Sequence, residues 1–382
     1  MYLTRLLEKT VARAARSFPV IVVTGPRQSG KSTLLRHVLG KRGSVVSLED
    51  PRIRGLLAED PRGYLGSLPK PVILDEIQYY PGITTWVKVL VDEDRRPGRW
   101  YLTGSQQFQV MRNVSESMAG RAAILALPPL KLAERRRTPS LESFVAGSTY
   151  PEPVVKKGVR PNMWYSSYLQ TYLERDVRTQ LGVTDIRDFE QFIRLLAART
   201  AQVLNLSSLA GPLGISVPTA KRWISVLEAS YIIHLLPPFH ENYGKRIIKA
   251  PKVYFLDVGL VSYLLGLDQG PPVLNGPLAG ALFETAVVSE VVKSRYASGD
   301  RPVLYYWHSQ GGFEVDLIVP EKGGYTPWEI KLAGRLRAEH GRNLGYWLQL
   351  AGKKGDAAVL VTNSRENAGP GPGIRNLHWS AL

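Results

Sequence analysis

The chain has 382 residues, 44% hydrophobic and 21% charged, with 49 Lys and Arg against 33 Asp and Glu and a formal net charge of +16. Its length exceeds that of a typical single domain and its composition excludes a disordered chain, so two or three packed domains are expected. The absence of cysteine excludes disulfides and thiolate metal sites, and no apolar run approaches the ~18 residues of a membrane span. The basic balance points to a polyanionic partner, nucleic acid ahead of an anionic membrane, or else to general basicity with no binding role. With no charged-then-apolar leader at the start, a soluble cytoplasmic protein with no membrane partner is expected.

Residues 1–18 open with a basic amphipathic pattern. Leu3, Leu6, Leu7, Val11 and Ala14 repeat at helical spacing while Arg5, Lys9, Arg13 and Arg16 are polar, which predicts a helix docked on the following core.

That core begins with Val20-Ile-Val-Val-Thr-Gly-Pro-Arg-Gln-Ser-Gly-Lys-Ser-Thr33, an apolar strand leading into G-x-x-x-x-G-K-S. A helix pattern over 32–39 follows, with Gly40 past its end. Strand, glycine loop and helix in this order form the setting in which backbone N–H groups and a helix N-terminus hold phosphates. Gly25, Pro26, Arg27, Gln28, Ser29, Gly30, Lys31, Ser32 and Thr33 are therefore expected to bind ATP. Lys31 would reach the terminal phosphates, and the Ser32 hydroxyl would ligate Mg²⁺.

Ser44–Leu48 reads as a second strand, and Pro71-Val-Ile-Leu-Asp-Glu76 as a third that ends in two carboxylates. Asp75 would hold the same Mg²⁺ and Glu76 would polarise the attacking water as general base. Trp100-Tyr-Leu-Thr-Gly-Ser105 repeats the pattern of a strand ending in small polar residues, which makes Ser105 a candidate to sense the γ-phosphate or else a turn serine. Arg121, before another apolar run, would serve as a finger on a neighbouring subunit's nucleotide or as a structural ion-pair partner.

Gly25–Ser32, Leu74-Asp-Glu-Ile-Gln78, Leu102-Thr-Gly-Ser105 and Ala119-Gly-Arg121 resemble a prokaryotic AAA+ family. Its members join such an ATPase to a C-terminal half of formerly unknown function. Tyr168–Asp176, Phe255–Leu260 and Phe313-Glu-Val-Asp316 fit the same family, so the resemblance spans nearly the whole chain. It implies ATP hydrolysis, a parallel-sheet ATPase core and a ring-like homo-oligomer.

Prolines and a Glu134-Arg-Arg-Arg137 run make 131–165 an irregular connection, after which helices are expected over 163–180 and 188–201. Leu206–Glu228 has helix-turn-helix character, with helices over 206–210 and 217–229. Tyr231–Leu236 and Lys252–Leu256 would form a winged hairpin around a basic loop. Such a module lays its second helix in the DNA major groove or serves as scaffold. Lys221 and Arg222 on that helix, and Lys245, Arg246 and Lys249 in the loop, are the candidate phosphate contacts.

Beyond a linker over 266–280, a helix carrying Glu284 precedes two strands, Phe313–Val319 and Thr326–Lys331. Asp316 followed thirteen residues on by Glu329-Ile-Lys331, across a Gly-Gly turn, resembles the restriction-endonuclease-like phosphodiesterase motif. There carboxylates (Glu284, Asp316, Glu329) would hold Mg²⁺ or Mn²⁺ while Lys331 helps activate water. A helix over 344–350 and a strand over 357–362 complete the pattern.

The expected architecture is α/β in three parts. A P-loop AAA+ ATPase occupies 1–135, a helical and winged-helix-like domain 136–268, and a restriction-endonuclease-like domain 275–382. The expected function is ATP-driven motion serving a DNA-bound nuclease-like domain. Its rival is an ATP-dependent regulatory switch whose C-terminal fold docks a partner without cutting.

Overall fold

The strand β1 (Val20–Thr24) is buried along its whole length, because β-branched residues at every position suit a parallel strand covered on both faces. The computed structural model describes every residue except 1, 41, 105–117, 157, 173–185, 240–249, 268–272, 310, 322–323 and 353–357. Two compact units result. The first comprises residues 1–130 with 229–231 and 294–301, and the second comprises 131–228, 232–293 and 302–382.

In the first unit β1 is joined by β2 (Ser44–Ser47), β3 (Val72–Asp75), β4 (Trp100–Gly104) and β5 (Ala122–Ala126). The order is β2-β3-β4-β1-β5, and every pairing is parallel. Alternation along β1 divides the core in two. Val20 and Val22 pack with Leu74, Val87 and Leu102, whereas Ile21 and Val23 pack with Leu7, Val11 and Leu34. Leu7 and Val11 lie on α1 (Leu7–Ala14), so the basic N-terminal segment does lay its apolar stripe on this sheet. The crossovers run through α2 (Lys31–Leu39), α3 (Pro51–Glu59), α4 (Pro61–Ser67) and α5 (Ile83–Glu93). Asp50 caps α3 by accepting from the Arg52 N–H, with Pro51 at the first helical position.

In the second unit the stretch expected to be irregular holds two short helices, Leu141–Ala146 and Pro151–Val155. Proline breaks a helix only in its interior, and Pro151 stands at a helix start, where its missing N–H costs nothing. Helices follow over Pro161–Tyr172 and Ile186–Ala197, and then over Leu206–Ala210 and Val217–Ala229 with the expected bounds. Ala220, Trp223, Ile224 and Leu227 of the last are buried, while Lys221 and Arg222 are exposed. A small antiparallel sheet accompanies them, in the order β6-β8-β7. Its strands are β6 (Gln202–Val203), β7 (Ile233–Leu236) and β8 (Lys252–Phe255). The two-residue β6 is too short to leave a periodic signal.

The helix Ala279–Ser298 introduces a mixed five-stranded sheet ordered β13-β12-β11-β10-β9. Here β9 (Tyr305–His308), β10 (Glu314–Glu321) and β11 (Gly324–Lys331) form an antiparallel meander. After the helix Arg342–Leu350, β12 (Ala358–Thr362) runs parallel to β11 and β13 (Ile374–His378) parallel to β12. The outer strands β9 and β13 were not expected. Both are edge strands, each with only part of its length buried, so neither reads as an apolar run.

Candidate functional site

The phosphate loop leaves the C-terminal end of β1, and Gly30 caps α2 at φ +93°. Gly25 sits at φ +146°, and a Cβ there would meet the Leu127 carbonyl oxygen at 2.3 Å. Glycine is thus required at the first motif position by the close approach of a neighbouring backbone. Lys31 is buried, and its Nζ donates to the carbonyls of Gly25 (3.1 Å) and Pro26 (2.9 Å). Ser32 Oγ donates to Asp75 Oδ1 at 2.6 Å, which joins the start of α2 to the end of β3. The Ser29 hydroxyl is fully buried and has no hydrogen-bond partner.

A nucleotide with Mg²⁺ fits this arrangement. The Ser32 hydroxyl and the Asp75 carboxylate are the oxygen donors that Mg²⁺ takes, and they already converge on one point. The unpartnered Ser29 Oγ is a buried donor that lacks an acceptor within the protein. Glu76 follows Asp75 in the left-handed region (φ +57°) and its carboxylate accepts from Gln78 Nε2.

Two residues that the sequence patterns did not single out belong to this site. Thr103 Oγ1 donates to Asp75 Oδ1 and accepts from the Glu76 N–H at 3.2 Å, so one hydroxyl fixes both acids. It lies on β4, two residues before Ser105, which falls outside the described residues. The second is Arg5, expected on the polar face of the first helix but in fact buried. Its guanidinium donates to the carbonyls of Ser29 (2.8 Å) and Pro128 (2.7 Å), tying the loop to the segment after β5. Amphipathic spacing assigns arginine to solvent, and only the fold brings these two carbonyls to it. Arg121 forms a two-pronged pair with Asp92 of α5, at 2.7 and 2.9 Å.

The acids of the second unit also come together. Asp316 Oδ2 accepts from the Ile330 N–H at 2.8 Å, so its carboxylate lies against the start of Ile330-Lys331. Lys331 Nζ stands 2.8 Å from Glu329 Oε1 and 3.8 Å from Asp316 Oδ2. Asn343 Nδ2 also donates to Glu329 Oε1, at 3.2 Å. Glu284 accepts from Tyr254 Oη at 2.6 Å. Burial first, and then the Asp316 charge, pushes Glu284 up to about 7 and Glu329 up to about 8. Glu329 Oε2 has no hydrogen-bond partner.

One cation in this cluster was not foreseen. Lys252, the first residue of β8, is buried with its Nζ 3.3 Å from Glu284 and 3.9 Å from Asp316, and paired with Glu314. Burial alone would lower its pKa, but Glu284, Asp316 and Glu314 outweigh that and raise it, so the ammonium is retained. Sequence spacing assigned Glu284, Asp316 and Glu329 to a Mg²⁺ or Mn²⁺ ion. Among the described residues, no group of three acidic or histidine side chains has a metal-holding arrangement. The described cluster therefore does not fit a divalent ion, because its acids are already turned onto lysines.

Of the DNA contacts expected from the sequence, Lys221 and Arg222 lie exposed on the Val217–Ala229 helix, whereas Lys245, Arg246 and Lys249 fall outside the described residues. Among the described residues, no helix is long and apolar enough to cross a membrane.

A family model described as an AAA domain matches residues 17–135. Models described as domains of unknown function, DUF8612 and DUF4143, match 139–270 and 279–380. The uncharacterized protein Rv2008c of Mycobacterium tuberculosis is 32% identical over 322 residues, which cover 84% of this chain and 71% of the relative. Mb2031c of Mycobacterium bovis matches to the same extent. The chain belongs to their family. In this chain the AAA domain is followed by the two domains of unknown function. Residues 17–135 are an AAA-type P-loop ATPase domain, on which the family match and the loop geometry agree.

Among solved structures, the Walker-type ATPase PABY2304 of Pyrococcus abyssi aligns with a TM-score of 0.43 at 14% identity, covering 68% of this chain and 94% of that one. A RuvB variant of Thermotoga maritima aligns at 0.31 and 16% identity, covering 60% and 89%. AMPPCP-bound DnaA from Aquifex aeolicus aligns at 0.30 and 12%, covering 58% and 86%.

Proposed function

We propose that the chain is an ATP-hydrolysing AAA protein that binds DNA and uses nucleotide-driven motion to act through a C-terminal unit of restriction-endonuclease-like fold. The observation that carries the ATPase reading is the meeting of Ser32 and Asp75 at 2.6 Å, beside a lysine held by its own loop. Mg²⁺ bound to these two oxygens would supply charge for the phosphates during transfer. In this reading Lys31 leaves the Gly25 and Pro26 carbonyls for the phosphates, and loop N–H groups and the Ser29 hydroxyl complete the cradle. Glu76 takes the water proton as general base, with Thr103 fixing its backbone. Arg121 acts from a neighbouring copy in a homo-oligomer only by giving up Asp92.

DNA contact is supported by the +16 charge and by Lys221 and Arg222, exposed on the second helix of a helix-turn-helix pair. The order of helix, three antiparallel strands, helix and parallel strand, with Asp316 and Glu329-Ile-Lys331 on adjacent strands, supports the nuclease-like fold. Lys252 favours the reading in which that fold binds without cutting, since a chain-borne cation lies among the acids. A salt titration tests the DNA reading. Affinity for duplex or branched DNA is expected to fall steeply and log-linearly with salt, less steeply in Lys221→Ala/Arg222→Ala, and a salt-insensitive affinity would remove DNA as the partner.

A further inference from the structure

We propose that the Lys252 ammonium permanently takes the place of the divalent cation in the C-terminal acid cluster, which makes this a metal-independent site. The inference rests on the nuclease-fold reading and states what has become of its metal position. Four carboxylates (Glu284, Glu314, Asp316 and Glu329) and two ammonium groups (Lys252 and Lys331) make up the cluster. Lys331 sits on the sheet, paired with Glu329, and its side chain is 42% exposed. Lys252 is different: its side chain is 5% exposed, and it comes from β8 of the small antiparallel sheet. It reaches one acid from the Ala279–Ser298 helix, Glu284, and two from β10, Glu314 and Asp316.

A cation that bridges acids from a helix and a strand does the structural work of a metal: it neutralises buried charge that neither element could hold alone. It cannot do the chemical work. An ammonium has no empty coordination position, cannot lower the pKa of a bound water as a Lewis acid does, and repels a second cation brought within a few ångströms. Part of the cluster's lone-pair capacity is also taken by neutral donors, although Glu329 Oε2 has none. Tyr254 donates to Glu284 and Asn343 to Glu329, which uses carboxylate lone pairs that a metal would otherwise take.

Mn²⁺ binding, followed by electron paramagnetic resonance on the full chain without nucleotide, tests this directly. Wild type and Asp316→Asn are expected to bind Mn²⁺ alike, with no tight ion attributable to the cluster. Lys252→Ala is expected to gain about one ion per chain, bound about tenfold or more tighter than in wild type, and Lys252→Ala/Asp316→Asn to lose it again. A Mn²⁺ ion in wild type that Asp316→Asn removes would overturn the proposal, as would a folded Lys252→Ala that gains none. Should Lys252→Ala fail to fold, the wild-type and Asp316→Asn pair still decides. The salt dependence of DNA binding, measured on the same wild-type sample, reports separately on the proposed function.

Discussion

The phosphate loop of the first unit and the acid cluster of the second use the same kinds of groups, a buried lysine beside strand-borne carboxylates, and satisfy them in opposite ways. Lys31 rests on two neutral carbonyls of its own loop, and Ser29 Oγ is buried with no partner. A phosphate is a stronger acceptor than those carbonyls and would also meet the Ser29 hydroxyl, so the site gains from an incoming anion. Lys252 instead rests on three carboxylates that arrive from two elements. There the strongest available acceptors are already taken, and an incoming cation would have to displace a charge the chain itself supplies. Which lysine is a ligand-binding group follows from its present partners and not from its burial, which is nearly complete in both.

The largest effect that would break this comparison belongs to the loop. Lys31→Ala is expected to lower ATP turnover about a hundredfold or more, measured as phosphate release at saturating Mg²⁺·ATP. Undiminished hydrolysis would mean that the buried lysine is structural there too.

A buried titratable group without any charged partner sharpens the comparison from the second unit. His234 on β7 is 8% exposed, its Nε2 has no partner, and burial pushes its pKa down to about 4. An unfolded histidine takes up its proton near pH 6.5, whereas the folded one resists to about 4. Stability from this residue is therefore full above about pH 6.5 and is lost as pH falls towards 4, on the order of 3 kcal/mol in all. Chemical denaturation of wild type and His234→Leu across pH 7 to 4 should show a shallower slope in the variant. Parallel slopes would show that His234 does not govern this acid range.

Arg5 gives the smallest expected effect. Arg5→Ala removes two hydrogen bonds, to the Ser29 and Pro128 carbonyls, and is expected to cost about 2 kcal/mol of stability. If the guanidinium shapes the cradle, the nucleotide dissociation constant rises as well; a stability loss with unchanged affinity would reduce Arg5 to a structural clamp.

The loop was legible because its chemistry is contiguous. Eight successive residues carry the glycines, the lysine and the serine, and the apolar runs on either side fix the strand and helix between which they lie. Asp75-Glu76 was legible for the same reason, as an abrupt end to an apolar strand. The pairing of Asp316 with Glu329-Ile-Lys331 was also readable, since a short hairpin joins their strands and β10–β11 register follows from period-two alternation. Thr103 stood within the small polar strand end that pointed to Ser105, and local spacing does not reveal that its hydroxyl meets Asp75 and the Glu76 N–H. Lys252 looked like the basic opening of a hairpin strand, because nothing in local spacing reveals that Glu284, Glu314 and Asp316, 32 to 64 residues later, converge on it.

By itself, then, the sequence determined the P-loop, the strand ending in Asp75-Glu76, the bounds of the helices over 206–210 and 217–229 and the acid-bearing hairpin, all of them features written within one element or across one turn. The tertiary structure decided whose charge each buried group meets. It placed Arg5 under the loop, Thr103 between the Asp75 carboxylate and the Glu76 N–H, and Lys252 among three carboxylates. Such placements depend on distances between segments far apart in the chain, and electrostatic energy depends on those distances and on burial, neither of which periodicity encodes.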